Sequence, residues 1–134
     1  MSRIQSFRDL LVWQKSMDLV EDLYGITRRY PDEERFGLTC ETRKTARSIP
    51  YNVAEGKSRR TTAEYHQGVS IAIGSMGELQ TQLILAGRVK YIPGEVLSNL
   101  EERTEEIARM LRGLEECICT AKYRSGGRQR SGVG

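Results

Sequence analysis

Leu97, Leu100, Thr104, Ile107, Leu111, Leu114 and Ile118 return every three or four residues, the repeat of one face of an α-helix. Three earlier stretches carry the same repeat: Leu10, Trp13, Met17, Val20, Tyr24 and Thr27; then Thr42, Ala46, Ile49 and Val53; then Val69, Ala72, Ile73, Met76, Leu79, Leu83 and Ala86. No alternating run and no Asn-Gly or Asp-Gly turn competes with this pattern, so strands are not expected. Four apolar stripes in one short chain have to bury one another.

The punctuation agrees with four helices. Arg28 and Arg29 close the first, which spans about residues 9–30, with the charge a helix C-terminus favours. Pro31-Asp32-Glu33-Glu34 opens the second with the opposite sign, and Gly56 is a good terminator. Lys57-Ser58-Arg59-Arg60 forms a short connection, and Thr61 with Glu64 reads as a capping box for the third helix. The third runs to about Val89; Tyr91-Ile92-Pro93-Gly94 turns the chain, and the fourth ends near Thr120. Helices of about 20–28 residues are far longer than the usual mean of roughly 11–12. Long amphipathic helices with short turns predict an all-α fold, an antiparallel up-down-up-down four-helix bundle over residues 1–120. The remainder, 121–134 (AKYRSGGRQRSGVG), lacks apolar periodicity and is expected to be a basic, disordered tail.

A chain of 134 residues is the size of one domain. Only 38% of it is hydrophobic, and no apolar run reaches the length of a membrane span. The start, MSRIQSFRDL, has no apolar signal region, so a cytoplasmic protein without membrane contact is expected. Cys40, Cys117 and Cys119 form no metal or disulfide framework and read as free thiols.

Catalytic constellations are missing from the sequence. Di-metal bundles need Glu-x-x-His on two helices, whereas His66 is the one histidine and its nearest acid, Glu64, lies two residues away on another side. Cys40 and His66 have no sequence reason to meet, and the GSMG at 74–77 lacks the Lys-Ser/Thr ending of a phosphate loop. No enzyme activity, no cofactor and no metal are expected.

The second and third helices each carry more than a core stripe. Thr45, Ser48, Asn52 and Glu55 form a second line on the second helix, inside SIPYNVAEG (48–56), where Pro50 removes a hydrogen bond to the carbonyl of Ala46. Pro50 is therefore expected to end or bend that helix and to place Asn52 and Glu55 for bonds across a seam. On the third, Ile71, Gly74, Glu78 and Leu85 lie opposite the core face, an odd set for a surface meant for water. Gly68, Gly74 and Gly77 each cost up to about 1 kcal/mol in a helix, a cost usually offset by close approach of a neighbour. Both segments are thus expected to pack against other subunits.

Three motifs in order, FRDLLVWQKSMDL, ERFGLTCETRKTARSIPYNVAEG and EYHQGVSIAIGSMGELQTQL, resemble the bacterial four-helix-bundle proteins named after 23S rRNA intervening sequences. The resemblance covers about Phe7 to Ile118, with Cys40 standing where members often have glutamine. It implies an up-down bundle assembling as a ring-like homopentamer. It also implies relatedness to the accessory proteins of diversity-generating retroelements, which help a reverse transcriptase and bind nucleic acid.

The charge distribution bears on that implication. Net charge is +3, yet from Arg35 to Arg60 there are seven bases and two acids, and from Glu95 to Glu116 seven acids and three bases. Arg43, Lys44 and Arg47, with Lys57, Arg59 and Arg60 in the next turn, suit salt-dependent contacts to phosphates. The tail adds Lys122, Arg124, Arg128 and Arg130, with Tyr123 available to stack on a base. The expected partners are other copies of the chain and RNA or DNA. Two other readings stand beside this one: solvated charges paired with the fourth helix's glutamates, and a scaffold whose ring face binds another protein.

Overall fold

The computed structural model describes residues 6–133, with side chains over 6–121. Among the described residues there are four α-helices and no strand: α1 (Leu11–Thr27), α2 (Leu38–Ser58), α3 (Thr62–Arg88) and α4 (Gly94–Val133). Short turns join them, so neighbours in sequence run antiparallel and pack side by side. The α2–α3 pairing is the most extensive, α3–α4 and α1–α2 follow, and α1 meets α4 only thinly.

On three helices the core is the one the stripes predict, except that Ile73 of α3 is only half-buried. Thr42, Ala46, Ile49 and Val53 of α2 are buried against Val69, Ala72, Met76, Leu79, Leu83 and Ala86 of α3. Leu100, Thr104, Ile107, Leu111 and Ile118 of α4 are buried too, while Leu97 and Leu114 are partly so. Thr104 sits inside because its hydroxyl donates to the Leu100 carbonyl at 2.8 Å.

In α1 the register differs. The buried residues are Val12, Ser16, Leu19, Leu23 and Thr27, whereas Met17 is 39% exposed and Trp13, Val20 and Tyr24 are half-buried. Leu11-Val12-Trp13, Leu19-Val20 and Leu23-Tyr24 make the apolar arc wide enough for two registers. The line with the smaller residues went inward. Ser16 fits there by donating to the Val12 carbonyl at 2.7 Å.

Three boundaries also differ. Pro31 leads into a 3-10 turn, Asp32–Glu34, and α2 begins only after Gly37. The Glu34 carboxylate reaches forward to accept from the Leu38 N–H at 3.0 Å, supplying the cap that Gly37 cannot. A Cβ on Gly37 would stand 2.7 Å from that carboxylate oxygen. Second, α2 continues unbroken through buried Pro50 to Ser58, two residues past Gly56. Third, the described backbone of α4 stays helical beyond Thr120 to Val133, where a disordered tail was expected; no proline interrupts it.

Glycine matters where α2 and α3 cross. A Cβ on Gly68 would lie 2.5 Å from the Asn52 carbonyl oxygen and 3.1 Å from the Gly56 Cα. Two backbones touch there. Gly74 and Gly77 have nothing within 4 Å, so their glycines face open space.

Candidate functional site

The second line of α2 turns toward α3 of the same chain. The Ser48 and Ser75 hydroxyls are hydrogen-bonded at 2.8 Å, and the Asn52 amide donates to the Ser48 carbonyl at 2.7 Å and its hydroxyl at 3.0 Å. Higher on the seam, the Gln82 amide donates to the Thr45 hydroxyl (3.0 Å), which donates to Glu78 (3.3 Å). Ser48 and Asn52 are expected at a polar seam or a subunit interface, and the bonds seen lie within the chain: Ser48 reaches Ser75 across the α2–α3 seam, and Asn52 bonds Ser48 one turn back on α2. Glu55 is exposed and meets Arg59 at 3.6 Å, one turn on.

Residues on the far side of α3 do face out. Ile71 is 45% and Leu85 48% exposed and Gly74 shares their row, whereas Glu78, expected in the same row, reaches back to Thr45 at the seam. Tyr51, on the α2 row that includes Ser48, is exposed as well. The exposure of the α3 row was legible in the sequence but that of Tyr51 was not, since it reads as one more residue of the proline motif.

The cations separate into engaged and free groups. Arg43 donates to the Thr27 hydroxyl (2.8 Å) and the Tyr24 carbonyl (3.2 Å), with its guanidinium over the Tyr24 ring. Arg47 donates to the Tyr24 hydroxyl at 2.8 Å. Both fasten the C-terminal turn of α1, where carbonyls need donors and favour positive charge. Lys57 lies over the Tyr65 ring, and Arg59 is shared between Glu55 (3.6 Å) and Glu64 (3.8 Å). Lys44 and Arg60 are exposed, and among the described residues neither has an acidic partner. The side chains of Lys122, Arg124, Arg128 and Arg130 lie outside the described residues.

One feature had no sequence signal. The thin α1–α4 contact leaves a groove of about 960 Å³ floored by Met17, Val20, Tyr24, Ile26 and Val96. Asp18, Glu21, Arg28 and Arg29 edge it, and Arg103 crosses it to Asp22 at 2.8 Å. Reading Met17 as core hid it.

At the same end, Tyr91 donates to Glu34 at 2.7 Å and packs against Tyr30. The Leu38 N–H and then the Tyr91 hydroxyl hold the Glu34 carboxyl below its usual pKa, and the bond to Glu34 raises that of Tyr91. Burial pushes the Tyr30 hydroxyl up to about 12. These shifts belong to a capping knot that ties the α1–α2 connection to the α3–α4 turn.

Among the described residues no group of three or more His, Cys, Asp or Glu is placed to hold a metal, and no helix is long and apolar enough to cross a membrane. His66 meets Glu115 at 3.6 Å across α3 and α4.

No curated protein matches the sequence. A solved structure with the same fold is that of a protein of unknown function from the S23 ribosomal protein family of Bacteroides thetaiotaomicron VPI-5482. It aligns with a TM-score of 0.74 at 20% identity, covering 79% of this chain and 96% of that one. A family profile, 23S rRNA-intervening sequence protein, matches residues 8–113. With that match spanning most of the bundle, the chain belongs to the 23S rRNA-intervening sequence protein family.

Proposed function

We propose that the protein is a non-catalytic helical bundle that assembles into a ring, a homopentamer, and binds RNA or an RNA–protein complex through one basic end. The observation that carries this reading is topological. Antiparallel packing puts the α2–α3 turn, with Lys57, Arg59 and Arg60, at the end toward which α4 runs: His66, early in α3, is level with Glu115 late in α4. The chain beyond Ala121 continues from that end and brings Lys122, Arg124, Arg128 and Arg130 in sequence. Turn and segment are thus parts of one cationic end. Ring formation would repeat that end around a rim, so weak phosphate contacts would add through avidity.

At that end Arg60 is free to meet phosphate. Lys44 is free too but lies toward the opposite end of the bundle, where Arg43 and Arg47 would first have to leave Tyr24. Fluorescence anisotropy with single-stranded RNA across a salt series tests the reading, comparing the full chain with one ending at Thr120. Salt-sensitive binding that weakens on truncation supports it and assigns the larger share to 121–134. Binding that survives truncation and weakens in Arg60→Ser supports it through the turn. Absence of binding at low salt in both overturns the nucleic-acid role.

The acidic outer face of α4, with Glu101, Glu102, Glu105 and Glu106 exposed, favours a second reading. In it the assembly is a scaffold or accessory subunit for another protein, and phosphate is repelled from that side.

A further inference from the structure

Two unfilled apolar features lie on different sides of this bundle. One is the outward row of α3, where Ile71 and Leu85 flank the bare stretch at Gly74 and Gly77. The other is the α1–α4 groove over Met17, Val20, Tyr24, Ile26 and Val96. One is a ridge with a notch in it; the other is a trough. Leaving both in water is unfavourable by the apolar area each exposes, at about 25 cal/mol per Å².

We infer that the α3 row of one copy docks into the α1–α4 groove of the next, joining copies head to tail. This rests on the ring reading and names its two faces. The contact uses two different surfaces, so it is heterologous, and such contacts close into rings when the rotation allows.

Register supports the pairing. α1 and α3 finish at the same end of the bundle. Counting back from it at about 1.5 Å per residue, Leu85 is level with Tyr24, Gly77 with Met17 and Ile71 with Leu11, for copies standing side by side in one direction. Met17 in the groove is 39% exposed and Leu11, on the same helix before the groove begins, is 56% exposed, so exposed apolar residues of one copy fall level with those of the next. At the glycine notch a Cβ would meet nothing within 4 Å, and the flexible thioether of Met17 suits a gap of that shape.

Charge agrees with shape. Asp18 and Glu21 are exposed along the groove, and Lys44 and Arg88 are exposed beside the row. None of the four has an ion-pair partner among the described residues. Lys44 and Glu21 each lie roughly 9 Å along their helices from that same end. Docking would bring opposite charges together at one level, which fixes direction more than it adds affinity.

The test uses two variants of the full chain with exposed sites changed, Met17→Asp in the groove and Leu85→Asp on the row. Light scattering gives their masses alone and mixed, and circular dichroism checks that each stays helical. The expected result is a monomer for each alone and a heterodimer for the equimolar mixture, since each variant keeps the face the other lacks. Helical variants that retain the wild-type oligomeric mass would overturn the inference while leaving the ring intact. So would a mixture that stays monomeric, or variants that form dimers alone. A monomeric wild-type chain would overturn this inference and the ring reading together.

Discussion

Lys90 has φ 69°, the left-handed region that side chains other than glycine avoid. It sits where α3 ends: its N–H donates to the Gly87 carbonyl (3.1 Å), and that of Tyr91 to Ala86 (2.8 Å). That pair of bonds is a Schellman ending, in which glycine is the usual occupant. Lys90→Gly is expected to raise stability by about 1 kcal/mol, read as a higher thermal midpoint. Gly68 is the converse case. A methyl there would stand 2.5 Å from a backbone oxygen, so Gly68→Ala is expected to cost about 1–3 kcal/mol in denaturant unfolding. Tyr30 gives a pH signature. Its folded pKa of about 12 lies above the ordinary value of 10, so the folded state holds the proton more tightly. The stabilisation is complete below pH 10 and lost as pH rises toward 12, about 2–3 kcal/mol in all. Tyr30→Phe should flatten that alkaline limb.

At the scale of elements, α1 is fastened to α2 through its C-terminal turn by two arginines that the sequence presents as a phosphate patch. Arg43→Ala is expected to lower stability by about 1–2 kcal/mol, because the Tyr24 carbonyl and Thr27 hydroxyl lose a charged donor. A salt-independent loss of unfolding free energy with RNA affinity unchanged would be the sign of that structural role. This split shows what a sequence can carry. The stripes of α2 and α4 are narrow enough for period alone to find their cores, and α3 shows its core on a broader apolar face; α1 offers adjacent apolar pairs such as Leu19-Val20, and there the period picked the wrong register. Arg43 bonding Tyr24, Glu34 capping Leu38 and Ser48 meeting Ser75 join residues distant in sequence or reached around a turn. No local pattern announces them. Gly68 was legible as a close approach, while its partner turned out to be α2 of the same chain.

For the whole molecule, the bundle is tight through α2–α3 and loose at α1–α4, and each side leaves apolar residues outside. Gly74 belongs to this scale because its added side chain would meet nothing within its own chain. Gly74→Leu is therefore expected to leave the helical fold and its unfolding midpoint nearly unchanged while dissociating the assembly. The same mass after substitution would mean that this face is free in the assembled protein.

The most direct measurement is the mass of the unmodified chain by light scattering at micromolar concentration. A single species about five times the 15.2 kDa chain is expected. A single species at the chain mass would contradict it, because the ring, its docking faces and the avidity of its basic rim would all be gone.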